Sequence, residues 1–206
     1  MLALILVDIQ NDFCTGGMLA VPAGEAVVPL ANRLMSLAQV VVATQDWHPA
    51  QHGSFAASHP GRNPFELAEL AGLPQVLWPV HCVEWTGGAQ FHPGLETARI
   101  QRVFPKGTDV SIDSYSGFFD NGRRKATGLG PWLQAQGVTE VLVCGLATDY
   151  CVKATAIDAA LLGFTTTVVE DACRGVGIRP TDVPDALAEM RRAGVRIATM
   201  AEVDHG

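Results

Sequence analysis

Three residues of types that cooperate in nucleophilic catalysis follow predicted strands. Asp8 ends an apolar run at the N-terminus, Lys106 follows a strand predicted over 101–105, and Cys151 comes shortly after another apolar run. A partly buried carboxylate can accept a thiol proton, a lysine ammonium favours the thiolate, and a thiolate attacks carbonyl carbon. Cys151 also falls in the first turn of a predicted helix, where free backbone N–H groups stabilise a thiolate and bind an oxyanion. Together these residues predict a cysteine nucleophile with an acid–base partner.

Two of these residues also have a purely structural interpretation. Asp8 could cap the turn that follows its strand. Lys106 could be an ordinary surface lysine, although the chain has only three lysines. The catalytic hypothesis therefore depends on the fold bringing the three side chains together.

A second group of side chains has the composition of a metal site. Asp46 and His48 are two residues apart, so both can point to one side of an extended segment, and His81 would come from a later loop. One carboxylate and two imidazoles form a nitrogen and oxygen ligand set that suits Zn, Mn or Fe. His52 and His59 could add ligands, although loop histidines more often bond to the backbone. The pattern predicts one divalent metal ion, with zinc expected before manganese or iron.

Cysteine usage indicates the compartment. The chain has five cysteines, an odd number, and no CxxC pair. Such usage suits free thiols in a reducing compartment, so we expect a cytoplasmic protein. Cys144 lies inside a predicted strand and is expected in the core, and non-catalytic roles are expected for Cys14, Cys82 and Cys173.

The elements that must position these residues alternate along the chain. Apolar runs of strand length alternate with segments of helical period, which is typical of a parallel sheet covered on both faces. Strands are predicted near 2–8, 39–44, 101–105, 139–144, 164–169 and 195–199. Helices are predicted over 24–38, 127–136, 149–162 and 181–193. Ligands of such sheets bind beyond the carboxyl ends of the strands, where the candidate residues lie.

Residues 46–98 depart from this alternation. The segment is rich in Pro, Gly, His and Trp, and only a short helix over 64–71 is predicted in it. A stretch of this length inside a domain is either functional or disordered, and its prolines beside aromatic or histidine residues favour an ordered one. We expect a single domain over 1–206, with this irregular excursion on the metal and substrate side of the site.

Composition and charge exclude several classes of protein. Of 206 residues, 48% are apolar and 17% are charged, against roughly 25% in an ordinary soluble domain, which argues against disorder. The formal charge of −7 repels phosphate backbones and anionic lipids, so no nucleic-acid partner is expected. No apolar run approaches the roughly 20 residues of a membrane span, so no membrane association is expected. The sequence leaves open whether the chain forms a homo-oligomer.

Six motifs carry a resemblance to a known family. They are Val7-Asp8-Ile-Gln-Asn-Asp-Phe13, Gln45-Asp46-Trp47-His48-Pro49, Trp78-Pro-Val-His81-Cys82, Phe104-Pro-Lys106-Gly107, Asp113-Ser-Tyr115-Ser-Gly-Phe118 and Gly145-Leu-Ala-Thr-Asp-Tyr-Cys151-Val152. Taken together and in this order, they resemble the nicotinamidase (pyrazinamidase) family of the isochorismatase-like cysteine hydrolases. The match runs from the first strand to the last predicted helix, and Asp…Lys…Cys beside an Asp-Trp-His motif is a specific combination.

The resemblance implies a fold and a catalytic triad. The fold would be a three-layer α/β/α arrangement around a central, mainly parallel, six-stranded sheet of the Rossmann-like kind. The triad would be Asp8, Lys106 and Cys151. The peptide between Leu146 and Ala147 would be cis, and the backbone N–H groups of Ala147 and Cys151 would form the oxyanion hole.

The same resemblance implies a metal centre and a substrate pocket. The implied metal ligands are Asp46, His48 and His81. The implied substrate-binding residues are Phe13, Trp78 and Tyr115. The position of His52 binds metal in some relatives and not in others. The metal could activate water or coordinate a pyridine nitrogen, and the sequence does not separate these roles.

The implied activity is hydrolysis of nicotinamide to nicotinate and ammonia in NAD salvage, through a thioester on Cys151. Pyrazinamide is expected as a second substrate. The nearest alternative is a related cysteine amidohydrolase acting on another small amide, or on a ureido or carbamoyl compound. A different class, a non-catalytic metal-binding or ligand-sensing domain, would have an unreactive Cys151.

Overall fold

A single parallel sheet organises the chain in the structure, a computed structural model that describes residues 1–204. In chain order the strands are β1 Leu2–Val7, β2 Val40–Asp46, β3 Leu67–Leu70, β4 Leu73–Val76, β5 Arg102–Lys106, β6 Glu140–Leu146, β7 Thr165–Arg174 and β8 Arg196–Ala198. Six of them form one sheet in the order β5-β2-β1-β6-β7-β8, in which all neighbours are parallel. The six-stranded sheet and its α/β/α class are confirmed.

The strand β1 lies inside the sheet, and its composition explains this position. Every residue from Ala3 to Val7 is at most 1% exposed. A strand with parallel partners on both edges and helices over the sheet must be apolar on both faces, which is why the run is continuous rather than alternating. The hydrophobic core extends from β1 to Met200 near the end of the described chain.

The four predicted helices are present and shorter than the sequence indicated. In chain order the helices are α1 Val27–Leu34, α2 Leu129–Ala135, α3 Lys153–Leu161, α4 Asp182–Arg192 and α5 Met200–Asp204. A 3-10 turn over Gly24–Ala26 precedes α1, a π-helical turn over Thr148–Val152 leads into α3, and α5 was not predicted. Among the residues that the structure describes, no helix has the length and apolar character needed to cross a bilayer.

The helix predicted over 64–71 is wrong. The segment forms a hairpin of β3 and β4, in which Leu70 pairs with Leu73 across the two-residue turn Ala71-Gly72. Both turn residues have positive φ, 56° and 78°, as a type I′ turn requires. The usual signal for this turn is Asn-Gly or Asp-Gly, so Ala-Gly after a leucine-rich segment suggested a helix instead.

The strand order brings four candidate residues to one edge of the sheet. Lys106 ends β5, Asp46 ends β2, Asp8 follows β1 and Cys151 follows β6, and these four strands are consecutive neighbours. Asp46 and Lys106 are direct register partners. The crevice beyond the carboxyl ends therefore contains both the predicted triad and the first predicted metal ligand.

Candidate active site

Lys106 lies at the centre of a buried cluster. Its Nζ is 2.8 Å from Oδ2 of Asp8 and 3.3 Å from Sγ of Cys151. It also donates a hydrogen bond to the carbonyl oxygen of Ser114 at 3.0 Å. Lys106 is only 2% exposed, so these contacts are shielded from water. The structure thus brings together the three residues that the sequence proposed as a triad.

Asp8 occupies an unusual backbone position at the end of β1. Its φ of 47° lies in the left-handed region, which aspartate adopts more readily than most residues. The side chain is fully buried, and Oδ1 accepts a hydrogen bond from Oγ1 of Thr44 at 2.6 Å. No donor among residues 1–204 is aligned with Oδ2 in a hydrogen bond, although Nζ of Lys106 is close to it. Oδ1 is therefore held by a hydrogen bond, while Oδ2 lies in the ion pair with Lys106 and keeps a lone pair that can accept a proton.

Cys151 lies in the π-helical turn that joins β6 to α3. Its side chain lines a cavity, and the residue is 7% exposed. The peptide between Leu146 and Ala147 is cis, as the resemblance implied, and Ala147 lines the same cavity. The candidate nucleophile Cys151 and the oxyanion-hole candidate Ala147 thus line the same cavity.

The protonation of Cys151 differs from our expectation. Burial raises the pKa of the Cys151 thiol well above its ordinary value, because a thiolate loses its hydration there. Lys106 opposes this shift, but the carboxylates of Asp8 and Asp46 add to it. This shift favours a neutral thiol over the expected resting thiolate, so the proton leaves as the sulfur attacks.

The two carboxylates beside Lys106 have opposite pKa shifts. Burial raises the pKa of Asp8 despite the attraction of Lys106, which makes it a stronger base. Burial would also raise the pKa of Asp46, but Lys106 and His48 hold it well below its ordinary value. Burial would lower the pKa of Lys106, yet Asp46 and Asp8 raise it well above its usual range. These directions favour a cationic Lys106 and an anionic Asp46 at neutral pH, and they make Asp8 the carboxylate that more readily takes up a proton.

The three predicted metal ligands form one cluster. Oδ2 of Asp46 is 3.5 Å from Nε2 of His48 and 3.7 Å from Nε2 of His81. Nδ1 of His48 is 2.9 Å from the carbonyl oxygen of Gly107, and Nδ1 of His81 is 2.8 Å from that of Pro79. A carbonyl can only accept, so each Nδ1 carries a proton. Each Nε2 is thereby directed toward Asp46, and in the neutral ring it presents a lone pair that can bind a metal ion. Metal-binding histidines are held in this way, so the residues fit a divalent ion.

His52 lies beside this cluster without joining its ligand set. Its ring is 4.3 Å from that of His48, and its Nδ1 lies 3.2 Å from the backbone nitrogen of Ser54. Its Nε2 is buried and has no partner within residues 1–204. Burial, reinforced by His48, lowers the pKa of His52 to about 4, so the ring is neutral at pH 7. Ligand atoms of His48, His52 and Asp113 also lie within 4.8 Å of one another.

Two other histidines of the irregular segment have structural roles. Nε2 of His59 bonds to the carbonyl oxygen of Gly53 at 2.7 Å. Nδ1 of His92 accepts the backbone N–H of Gly94 at 3.1 Å. Neither belongs to the three clusters that could hold a metal among the described residues.

The cavity in front of Cys151 has an aromatic lining. The three residues that the resemblance gave for substrate binding, Phe13, Trp78 and Tyr115, all line it. The hydroxyl of Tyr115 accepts hydrogen bonds from Nε1 of Trp78 at 3.2 Å and from Nε2 of Gln75 at 3.0 Å. Sequence reasoning missed four further lining residues, which are Leu19, Asp113, Tyr150 and Val176.

Two buried residues of the first motif position the metal ligands and were also missed. Nε2 of Gln10 donates to the carbonyl oxygen of Asp46, and its Oε1 accepts the Asp46 N–H, both at 2.8 Å. Oδ2 of Asp12 accepts the N–H of Cys82 at 2.7 Å, next to His81. Polar residues directly after a buried strand were the available signal, because buried polar groups need partners.

Comparisons with known proteins identify the family to which the chain belongs. Residues 2–202 match the family model described as the isochorismatase domain. The nicotinamidase of Escherichia coli (strain K12) is 52% identical over 204 residues, covering 97% of this chain and 95% of the relative. The solved Acinetobacter baumanii nicotinamidase and pyrazinamidase is 44% identical, with a TM-score of 0.95 over 98% of this chain and 97% of that chain. A Pyrococcus horikoshii pyrazinamidase solved in complex with zinc is 36% identical, with a TM-score of 0.77 over 96% of this chain and 98% of that chain.

Proposed function

This chain belongs to the isochorismatase family and, within it, to the nicotinamidases, and from that premise we propose that it hydrolyses nicotinamide to nicotinate and ammonia through a thioester on Cys151. Pyrazinamide, another aromatic carboxamide, is the second substrate. The observation that carries the proposal is the position of the Cys151 thiol, which lines an aromatic cavity and lies 3.3 Å from Nζ of Lys106. The enzyme is an amidohydrolase of a linear amide C–N bond.

Acylation uses the free oxygen of Asp8. As Sγ of Cys151 attacks the carboxamide carbon, its proton passes to Oδ2 of Asp8, and the carbonyl electron pair moves onto oxygen. The backbone N–H groups of Ala147 and Cys151 hold this oxyanion. When the carbonyl reforms, the C–N bond breaks and Asp8 returns the proton to the nitrogen, which leaves as ammonia.

Deacylation repeats the proton transfer with water. Asp8 takes a proton from a water molecule as the oxygen of that water attacks the thioester carbon. The C–S bond then breaks, Asp8 passes its proton to the Cys151 sulfur, and the nicotinic acid formed loses its carboxyl proton to solvent and leaves as nicotinate. Lys106 stays charged throughout and balances the negative charge that passes between Asp8 and Cys151.

The ligand set of Asp46, His48 and His81 would hold one divalent ion. We assign zinc to it, with manganese and iron as alternatives, because two imidazoles and one carboxylate accept all three. A bound ion would supply Lewis-acid chemistry, either by fixing the ring nitrogen of the substrate or by making a water more acidic. The zinc in the solved pyrazinamidase supports this assignment. His52 is a candidate for a further ligand through Nε2, in the tautomer whose Nδ1 donates its proton to Oγ of Ser54.

Other features support a cytoplasmic enzyme of small molecules. All five cysteines are free, which suits a reducing compartment. The hydrophobic core runs from Ala3 to Met200, which supports treating residues 1–206 as one domain. The net negative charge disfavours nucleic acid as a partner.

The aromatic lining favours a ring carboxamide over a ureido or carbamoyl compound. The test is ammonia release by the purified protein from nicotinamide, pyrazinamide and a ureido substrate, with the metal content measured on the same preparation. We expect turnover of both aromatic amides and none in Cys151→Ala. Turnover of the ureido substrate alone would favour the related amidohydrolase, and an unreactive Cys151 with no turnover would favour the non-catalytic domain.

A further inference from the structure

The two oxygens of the Asp8 carboxylate have unequal surroundings. Oδ1 accepts a hydrogen bond from Oγ1 of Thr44 at 2.6 Å. Oδ2 lies 2.8 Å from Nζ of Lys106 and has no aligned donor among residues 1–204. The terminal torsion of an aspartate is broad, so a carboxylate turns unless an oxygen is held. The surroundings therefore decide which oxygen stays available to exchange a proton.

The orientation of Thr44 is itself fixed by packing. Thr44 lies on β2, is fully buried, and as a β-branched residue has a stiff χ1. Its Cγ2 methyl lies against the backbone of Gly117, where an added Cβ would be 2.6 Å from that methyl. Because the methyl occupies this side, the hydroxyl is directed toward Asp8.

We propose that Thr44 is a positioning residue for the reaction, whose hydroxyl holds Oδ1 of Asp8 so that Oδ2 serves as the proton acceptor for the Cys151 thiol. The inference rests on the proposed function, in which Asp8 is the base. In the step concerned, the S–H bond of Cys151 breaks, an O–H bond forms at Oδ2, and the sulfur electron pair forms the C–S bond. Thr44 keeps its own proton throughout.

The same anchoring serves the second half of acylation. The proton on Oδ2 must reach the leaving nitrogen before the C–N bond breaks completely. A carboxyl group free to turn could carry that proton away from the substrate. Thr44 therefore acts on the rate of chemistry and leaves substrate binding unchanged, because its side chain is fully buried behind Asp8.

The first test compares two substitutions of nearly the same volume. Thr44→Val keeps the branched shape and removes the hydroxyl, so we expect kcat for nicotinamide to fall about tenfold, the loss typical of one hydrogen bond to a charged group. KM should stay within about twofold, because only an interaction made in the chemical step is lost. Thr44→Ser retains the hydroxyl and should recover kcat to within about threefold of wild type. A variant that unfolds would be recognised by its urea midpoint.

The second test acts from the opposite side of Thr44. Gly117→Ala adds a methyl that collides with Cγ2 of Thr44, so it should displace the hydroxyl and lower kcat. Serine lacks Cγ2, so Thr44→Ser in the Gly117→Ala background should recover activity. Valine keeps a γ carbon at this position, so Thr44→Val in the Gly117→Ala background should recover no activity. Equal behaviour of the two double variants would contradict the proposed contact.

A readout without nicotinamide separates this inference from the proposed function. Alkylation of Cys151 by iodoacetamide, followed by peptide mapping, also requires loss of the thiol proton. It should slow in Thr44→Val and recover in Thr44→Ser. If wild type does not hydrolyse nicotinamide while this pattern holds, the substrate assignment fails and the role of Thr44 stands. If Thr44→Val equals wild type in both alkylation and turnover, the role of Thr44 is refuted.

Discussion

Lys106 and Asp46 form a buried ion pair that joins the catalytic cluster to the metal-ligand cluster. The two residues are register partners on neighbouring strands, and Nζ of Lys106 donates to Oδ1 of Asp46. The other oxygen, Oδ2, faces Nε2 of His48 and of His81. One carboxylate thus holds the cation beside the nucleophile and also supplies a metal-ligand position, so a change at either cluster affects the other.

This shared carboxylate predicts different outcomes for two metal-ligand variants. Asp46→Asn removes both a ligand and the counter-charge of Lys106, whereas His81→Ala removes a ligand only. Both should weaken metal binding by at least about 100-fold. Excess zinc should restore part of the activity of His81→Ala but almost none of the activity of Asp46→Asn. Metal titration followed by an ammonia-release assay checks this, and equal rescue of both variants would show that the ion pair has no catalytic role.

Lys106→Met tests the electrostatic role of the lysine with a side chain of similar length. It leaves the carboxylates of Asp8 and Asp46 buried without their cation, so the free energy of unfolding should fall by about 3 kcal/mol. The pKa of the Cys151 thiol should rise further, because Lys106 is the group that lowers it. Urea unfolding and the rate of iodoacetamide alkylation at Cys151 measure the two effects. Arg33→Met, which removes a surface cation paired with Asp204, is the control and should change neither.

The pH dependence follows from the raised pKa of Asp8. Asp8 must be ionised to accept the thiol proton, and burial raises its pKa above that of an ordinary aspartate. As the pH falls through this raised pKa, the base becomes protonated and kcat/KM decreases. The acid limb of the profile should therefore lie above the ordinary aspartate range of about 4. An acid limb at or below that range would mean that a different group is the base.

The hairpin turn offers a stability prediction remote from the site. Ala71 has a φ of 56°, which costs an L-residue with a plain Cβ roughly 1 kcal/mol. Asparagine is favoured at the first central position of a type I′ turn, so Ala71→Asn should raise the free energy of unfolding by up to about 1 kcal/mol. Urea unfolding measures the gain, and kcat should not change. A loss of stability would show that the turn does not need left-handed residues.

The sequence predicted the sheet well because buried parallel strands carry a strong signal. The continuous apolar run of β1 and the residues that end each strand predicted that Asp8, Lys106 and Cys151 lie near one edge of the sheet. Local propensity failed at Ala71-Gly72, where two backbone angles decide between a helix and a hairpin. These angles are fixed by tertiary contacts, such as the hydrogen bond from Arg124 to the carbonyl oxygen of Ala71.

The protonation state of Cys151 could not be predicted from the sequence either. A lysine near Cys151 suggested a thiolate, but the loss of hydration and two neighbouring carboxylates outweigh that single cation. The surroundings of Asp8 could not be predicted from the sequence either, because Thr44 contacts it from another strand and Gly117 in turn packs against Thr44. The pKa of Cys151 and the contacts of Asp8 depend on distances and burial in the folded chain, and the spacing of residues along the sequence does not reveal these.

The central claim is that the amide is cleaved by attack of Cys151. The most direct measurement is a rapid acid quench of the metal-loaded enzyme with nicotinamide, followed by mass spectrometry of the Cys151 peptide and quantification of ammonia. We predict a nicotinoyl group on Cys151 in the first turnover, formed together with ammonia, and no ammonia from Cys151→Ala. Ammonia release from wild type without acylation of Cys151, together with continued turnover in Cys151→Ala, would contradict the account.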